Sequence, residues 1–119
     1  MTTSEVAARL VELFNQDKTE ELYAELYSPE VESIEADAGP GQVSKGMAGI
    51  EAKNKWWTST FDVKDCVVDG PWTHGNQFIL TFEMTTVEKA TGKEMHMKEG
   101  ALYTVESGKV VTERFFQAG

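Results

Sequence analysis

The sequence predicts an α+β fold in which helices come first and antiparallel strands follow. The strongest signal is near the carboxyl end, where two strand-like runs, 94–105 and 110–117, flank a short turn. Gly108 in this turn tolerates a positive φ, so the runs are expected to form a long antiparallel hairpin. Two strands alone are marginally stable in water and need a covering layer. Helical periodicity in the first half of the chain predicts that layer, and this segregation of elements favours an α+β fold.

Three helices are predicted in the first half of the chain. Thr2 followed by Glu5 is a capping-box start. The first helix then carries a stripe of apolar residues at helical spacing: Val6, Leu10, Leu13 and Phe14. A second, short helix begins at 17–20 and ends at Ser28-Pro29, because a proline disfavours the helical conformation of the residue before it. The third helix begins at Ser44 and ends at 58–60.

Strands fill most of the remaining sequence. Weak alternation predicts a first strand at 31–37, interrupted by glycine and proline at 39–41. From 63–68 onward the apolar period is two. Turns at 74–76 and 91–92 bound a strand with four apolar residues on one face: Phe78, Leu80, Phe82 and Met84. The order of these elements predicts one domain spanning 1–119.

Composition excludes several classes of function. The chain of 119 residues has 11 basic and 20 acidic side chains, and its net charge of −9 disfavours nucleic acid and anionic membranes as partners. No apolar run approaches the ~20 residues that span a bilayer. The amino terminus lacks the basic and apolar regions of a signal peptide. A single cysteine, Cys66, suits a reducing compartment, so we expect a cytoplasmic protein.

Several segments in this order resemble a known family. They are Leu26-Tyr27-Ser28-Pro29 at the end of the helical pair, 45–50 at the start of the third helix, and 108–111 in the last turn. Trp56-Trp57, 74–76 and Phe115-Phe116 add to the pattern. The chain resembles the SnoaL-like branch of the nuclear transport factor 2-like superfamily, in an uncharacterised subgroup, and more distantly the ketosteroid isomerases. The resemblance covers the whole chain and implies a cystatin-like fold, with a cone-shaped curved antiparallel sheet wrapped by three helices.

The resemblance also points to Asp37 as a catalytic base. Ketosteroid isomerases have an Asp base upstream of the glycine that opens the third helix, and alignment on Gly46 places it at Asp37. The alternative is an ordinary loop aspartate. The two oxyanion donors of those enzymes, a Tyr and a protonated Asp, fall at Arg9 or Leu10 and at Gly100 or Ala101, which argues against steroid isomerase activity. Three tyrosines, Tyr23, Tyr27 and Tyr103, are substitutes if the geometry allows it.

Glu99 and Glu113 form a second candidate pair. Strand parity places Glu99 with Met97 and Tyr103, and Glu113 with Phe115, and the family alignment turns both sets toward the pocket. If two carboxylates lie inside an apolar cone, burial and their mutual repulsion raise the pKa of at least one of them. That group could then serve as a general acid or base. A register slip of one residue would instead turn both toward water.

The expected ligand pocket is lined by aromatic and apolar residues together with one carboxylate. The residues expected to line it are Glu35, Trp57, Phe78, Met97, Tyr103 and Phe115. In a chain of this length the same residues can equally be core. The two histidines show no metal spacing, because His74 lies in a turn and His96 alternates away from the pocket. Cys66 has no histidine partner, so we expect neither a nucleophilic cysteine, a metal nor a cofactor.

The opposite face of the sheet is apolar and β-branched for a surface in water. It carries Ile79, Thr81, Leu102, Thr104, Thr112 and Phe116. Such a face is usually covered, so we expect a homodimer through the outer sheet face.

Three functions follow from the sequence. The leading hypothesis is a binding protein for a small, largely apolar and possibly cyclic molecule. The second is an isomerase, cyclase or dehydratase that uses carboxylate general acid/base catalysis without a cofactor. The third is a dimeric interaction module with a vestigial pocket. A fold of this kind does not itself select among them.

Overall fold

The computed structural model describes residues 1–39 and 41–117, so Pro40, part of the predicted break after the first strand, lies outside the described residues. Three helices and six strands follow one another along the chain. In order they are α1 (Thr3–Asn15), α2 (Thr19–Leu26), β1 (Tyr27–Ile34), β2 (Val43–Lys45), α3 (Gly46–Thr60), β3 (Phe61–His74), β4 (Gln77–Glu88), β5 (Glu94–Glu106) and β6 (Lys109–Gln117).

The strands form one curved sheet in the order β2-β1-β6-β5-β4-β3. The predicted hairpin is confirmed: β5 and β6 pair from Glu106 opposite Lys109 to Glu99 opposite Gln117. Every other neighbouring pair is antiparallel except β1 with β6, which run parallel. The α+β class is therefore confirmed, and the sheet is mixed where the sequence suggested an antiparallel one.

The first strand lies earlier in the sequence than predicted. Tyr27 ends α2 and is already extended, and β1 stops at Ile34, so 35–37 belong to the following loop. Pro29 is tolerated inside β1 because the β1–β6 register is interrupted between Tyr27 and Glu32. Ser44 does not open the third helix. It pairs with Ser33 in the short strand β2, and α3 begins at Gly46.

Local signals account for the first helix. Thr2 Oγ accepts a hydrogen bond from the Glu5 amide at 3.2 Å, and the Thr2 amide donates to Glu5 Oε1 at 2.8 Å. The predicted capping box is thus present. Arg9 then connects the two helices of the hairpin, because its Nε donates to Glu25 Oε2 on α2 at 2.7 Å.

The core lies between the helices and the concave face of the sheet. Helix α1 packs on β3 and β4, and α3 packs mainly on β1. The alternation predicted for β4 is confirmed. Four of its concave-face side chains are buried: Phe78, Leu80, Phe82 and Met84. Helix α1 contributes Val6, Ala7, Leu10 and Leu13 to the same core.

Among the helices of the described residues, none combines the length and apolar character needed to cross a bilayer.

The capping box provides a test of local stability. Replacing Thr2 with Ala removes the side-chain acceptor of the Glu5 amide, so we expect a loss of about 1 kcal/mol in the free energy of unfolding. Thr2→Ser retains the oxygen and should be close to the parent protein. Urea denaturation of the three proteins measures the difference, and equal stability of Thr2→Ala and Thr2→Ser would contradict the assignment.

Candidate functional site

The polar site lies on the concave faces of the central hairpin strands. In β5, Ala101 and Tyr103 are buried opposite Leu80 and Phe78 of β4, as the predicted parity requires. Glu99 shares that parity. In β6, Glu113 stands opposite Tyr103, and Gln117 stands opposite Glu99. The register therefore places both carboxyl groups on the same face of the sheet.

Glu113 is almost completely buried, with 5% of its surface exposed. The Tyr27 hydroxyl donates to its Oε2, and Ser33 Oγ donates to its Oε1 at 2.8 Å. Burial raises the pKa of the Glu113 carboxyl, and the two donors only partly offset that effect. The protonation state of Glu113 therefore depends on its burial and on the hydrogen bonds from Tyr27 and Ser33.

Lys53 of α3 extends this network toward the surface. Its Nζ donates to Ser33 Oγ at 2.6 Å and forms an ion pair with Glu35. The same ammonium lies 4.6 Å from the centre of the Phe115 ring, within cation–π range. One lysine thus joins the loop after β1 to the buried serine and to the concave face of β6.

Glu99 has a different environment. It is half-buried, and among the described residues it has neither a hydrogen-bond partner nor an ion-pair partner through its side chain. Burial raises the pKa of this carboxyl, and the nearby charge of Glu35 raises it further, whereas Lys53 acts in the opposite direction. Glu99 therefore combines a raised pKa with a carboxyl group that is free to meet a ligand.

Three phenol groups surround the Glu113 carboxyl. Burial, together with the negative charge of Glu113, raises the pKa of Tyr23, Tyr27 and Tyr103. The rings of Tyr23 and Tyr27 are in contact, with centres 5.0 Å apart. The Tyr103 ring stacks on the Phe78 ring, with ring centres 4.8 Å apart. These two buried side chains fill the innermost part of the concave face. All three phenols stay protonated at neutral pH, and the Tyr27 hydroxyl already donates to Glu113.

The remaining predicted site residues differ in their exposure to solvent. Asp37 is exposed in the loop after β1, yet its charge contributes to the raised pKa of Glu99, which places it near that carboxyl group. Trp57 and Met97 are half-buried against the core. Trp57 also contacts Phe61, with ring centres 4.8 Å apart. Asp37 therefore lies at the rim, while the two glutamates lie inside.

A groove lies between α2 and α3. Its volume is about 580 Å³, and it is lined by Glu20, Tyr23, Ala24, Met47, Glu51, Asn54, Lys55 and Thr58. Tyr23 links the groove to the interior, because its ring also contacts Tyr27, which donates to Glu113. A second, shallow cavity of about 120 Å³ lies beside Trp72 and Leu102.

Sequence reasoning missed Ser33 and Lys53. Ser33 was placed in a strand without a role, and its contacts are to residues 20 and 80 positions away. Lys53 precedes the predicted pocket residue Trp57 by four positions, so helical geometry alone places both on neighbouring turns of one face. That spacing was the available signal for Lys53.

The histidines lie outside this site. His96 is exposed and contacts Glu83 Oε1 at 3.2 Å and Thr85 Oγ1 at 3.4 Å on the convex face. His74 is exposed at the end of β3. Within the described part of the chain, no cluster of three or more histidine, cysteine or acidic residues is arranged to hold a metal ion.

Comparison with known proteins agrees with this architecture. A protein of Mesorhizobium loti is provisionally described as a SnoaL-like polyketide cyclase (carbohydrate phosphatase). It is 36% identical to this chain and superimposes on it with a TM-score of 0.92. The match covers 98% of this chain and 99% of that one. A provisional SnoaL-like polyketide cyclase of Jannaschia sp. CCS1 is 20% identical, with a TM-score of 0.79 and coverage of 96% and 83%.

A Xanthomonas campestris protein of unknown function with a cystatin-like fold is 19% identical, with a TM-score of 0.80 over 100% and 92% of the two chains. At such identities these likenesses show the fold alone. No functionally curated protein matches the chain. The family pattern of the SnoaL-like domain, however, matches residues 1–117. With this match and the relative from Mesorhizobium loti, the chain belongs to the SnoaL-like family and has its cystatin-like, nuclear transport factor 2-like fold.

Proposed function

We propose that this protein binds a small, largely apolar molecule at the concave face, with the polar end of the ligand at Glu99. The observation that carries the proposal is the contrast between the two interior carboxyl groups. Glu113 is engaged by Tyr27 and Ser33, whereas the half-buried Glu99 has no side-chain partner among the described residues. A ligand that covers Glu99 removes its carboxyl group from water, so the ligand must supply a hydrogen-bond partner in place of the solvent.

The surroundings of Glu99 favour an apolar ligand. Phe82 of β4 stands opposite Glu99 of β5. The Phe82 ring packs against the Phe14 ring, with ring centres 5.2 Å apart. Half-buried Met97, Trp57 and Phe115 complete the neighbouring apolar surface. Pockets with apolar walls and a few convergent polar groups are typical of small-molecule sites. A flat or cyclic molecule with one carbonyl or hydroxyl group fits this combination.

Burial raises the pKa of Glu99 and so favours its protonated form. A protonated carboxyl donates a hydrogen bond, so it favours an acceptor such as a ketone oxygen. The acceptor would lose this donor as pH rises through the pKa of Glu99. We therefore infer a ligand with a carbonyl oxygen rather than an ammonium group.

Catalysis by carboxyl groups is the second candidate function. Two glutamates with raised pKa values lie on one concave face, and paired carboxyl groups that donate and accept protons are what an isomerase, cyclase or dehydratase without a cofactor requires. The relative from Mesorhizobium loti is provisionally assigned as a polyketide cyclase, and this supports carbonyl-bearing substrates for the same fold. Asp37, at the rim, would act there through its charge or as a base toward the exposed part of a ligand.

We also infer a homodimer formed through the convex sheet face, in the cytoplasm. Trp72 and Phe116 are 56% and 39% exposed, and half-exposed Ile79 and Leu102 lie between them on adjoining strands. A second copy of the chain is the occupant whose apolar surface matches this patch by symmetry. The single cysteine agrees with a reducing compartment. If the concave face binds no small molecule, this convex surface is the basis of the third hypothesis, an interaction module.

Replacement of Glu99 tests the ligand proposal. In a Trp56→Phe/Trp72→Phe background, Trp57 is the only tryptophan, and its fluorescence reports titration with fused-ring ketones and with the matched hydrocarbons. We expect Glu99→Leu to weaken ketone binding by roughly tenfold, as for loss of one hydrogen bond of about 1.4 kcal/mol, with little effect on the hydrocarbons. Ketone binding by the parent protein should weaken as pH rises through the pKa of Glu99.

Glu99→Gln is the informative companion, because its amide donates at every pH. It should bind ketones with no such pH dependence. Glu83→Gln, on the convex face, is the matched control and should behave as the parent. Equal ketone binding by the parent and Glu99→Leu at acidic pH would contradict a role for Glu99, and absence of binding by the parent would reject the ligand class.

Charge introduced on the convex face tests the dimer. We expect Ile79→Lys and Leu102→Lys to shift the protein from dimer to monomer in sedimentation velocity, because each buries a lysine at the contact. Val63→Lys places the same charge on β3 with the concave-side parity, at a residue that is 45% exposed, and should leave the dimer intact. A parent protein that stays monomeric at high concentration would refute the dimer.

A further inference from the structure

We propose that Lys53 and Ser33 form a proton relay that connects solvent with the buried carboxyl of Glu113. The inference deepens the acid/base candidate function and depends on it. The hydrogen bonds form an unbroken chain with one direction: Lys53 Nζ donates to Ser33 Oγ at 2.6 Å, and Ser33 Oγ donates to Glu113 Oε1 at 2.8 Å. Lys53 and Ser33 would act through Glu113, so they are positioning residues rather than catalytic ones.

Burial makes such a path necessary. Ser33 is fully buried, and Glu113 and Tyr27 are 5% and 4% exposed. Lys53 is the member of the chain that reaches water, because 26% of its side chain is exposed. A ligand on the concave face would cover Glu113 further. The chain through Ser33 approaches Glu113 from β1 and α3.

The transfer conserves atoms and charge. A proton leaves Lys53 Nζ for Ser33 Oγ while the hydroxyl proton of Ser33 moves to Glu113 Oε1. One N–H bond and one O–H bond break, and two O–H bonds form. The ammonium and the carboxylate become an amine and a carboxylic acid, and the total charge is unchanged. Lys53 then takes a proton from water at its exposed side, so that the net result is one proton carried from solvent to Glu113.

Charged groups lie at both ends of the relay. The Lys53 ammonium is paired with Glu35 at the outer end. At the inner end, burial raises the pKa of Glu113 and favours its protonated form. The titratable and charged groups that face Glu113 are Tyr27 and Tyr23, Lys53, Glu35, and Tyr103 and Glu99.

Carboxyl carbon-13 NMR of the unliganded protein measures the relay directly. Glutamate labelled at Cδ gives the titration curve of Glu113, and relaxation dispersion at each variant's own midpoint gives the rate of proton exchange. We expect Ser33→Ala to slow exchange at Glu113 at least tenfold, because the bridging hydroxyl is lost. Ser33→Thr keeps a hydroxyl and should restore most of the rate. A purely structural role of Ser33 would change stability without slowing exchange.

Lys53 supplies an independent pair of variants if Ser33→Ala does not fold. Lys53→Met should slow exchange, and Lys53→Arg, which retains donors and charge, should slow it less. Unchanged exchange in Lys53→Met, or equal slowing by Ser33→Ala and Ser33→Thr, would overturn the relay. Because no ligand is present, these outcomes are independent of whether ketones bind at Glu99.

Discussion

The buried carboxyl of Glu113 is the constraint on which the centre of this structure depends. Removing a carboxylate from water is costly unless it receives hydrogen bonds, and here Tyr27 and Ser33 supply them. Both donors lie on β1, at opposite ends of the interrupted register with β6. The carboxyl therefore holds together the parallel strand pair at the point where its register is interrupted. Lys53 brings α3 into the same network.

This arrangement links stability to pH with a definite sign. Burial raises the pKa of Glu113 in the folded chain above its value in the unfolded chain, where water solvates the carboxylate. The folded state therefore binds the proton more tightly. The contribution of this group to stability is greatest below the unfolded pKa and falls as pH rises through the folded pKa. A protein that keeps such a group forgoes stability at neutral pH, as is common at functional sites.

The sequence predicted what local patterns determine. The capping box at Thr2, the alternation along β4 and the hairpin of β5 and β6 depend on neighbours within a few residues, and all three are confirmed. The parallel pairing of β1 with β6 has no local signal, because Tyr27 meets Val110 only in the folded chain. β2 is three residues long, too short for a period of two to be recognised.

The candidate site shows the same contrast between local patterns, which the sequence reveals, and long-range contacts, which it does not. Parity along β5 and β6, together with the family resemblance, predicted that Glu99 and Glu113 share one face, since a strand fixes orientation residue by residue. It could not reveal that the two differ, because the difference arises from Tyr27 and Ser33, 86 and 80 positions from Glu113. Family resemblance indicated Asp37 by position, but the loop after β1 leaves it exposed at the rim.

Consecutive residues of β5 point to opposite faces of the sheet, so the proposed pocket and the convex surface lie next to each other along this strand. Glu99 faces inward, while Gly100 faces outward beneath the Phe116 ring, which occupies the space that a Cβ at Gly100 would need. The glycine therefore allows an aromatic side chain of β6 to lie flat against the convex face. A side chain at position 100 would therefore displace the Phe116 ring or shift the strand segment that carries Glu99.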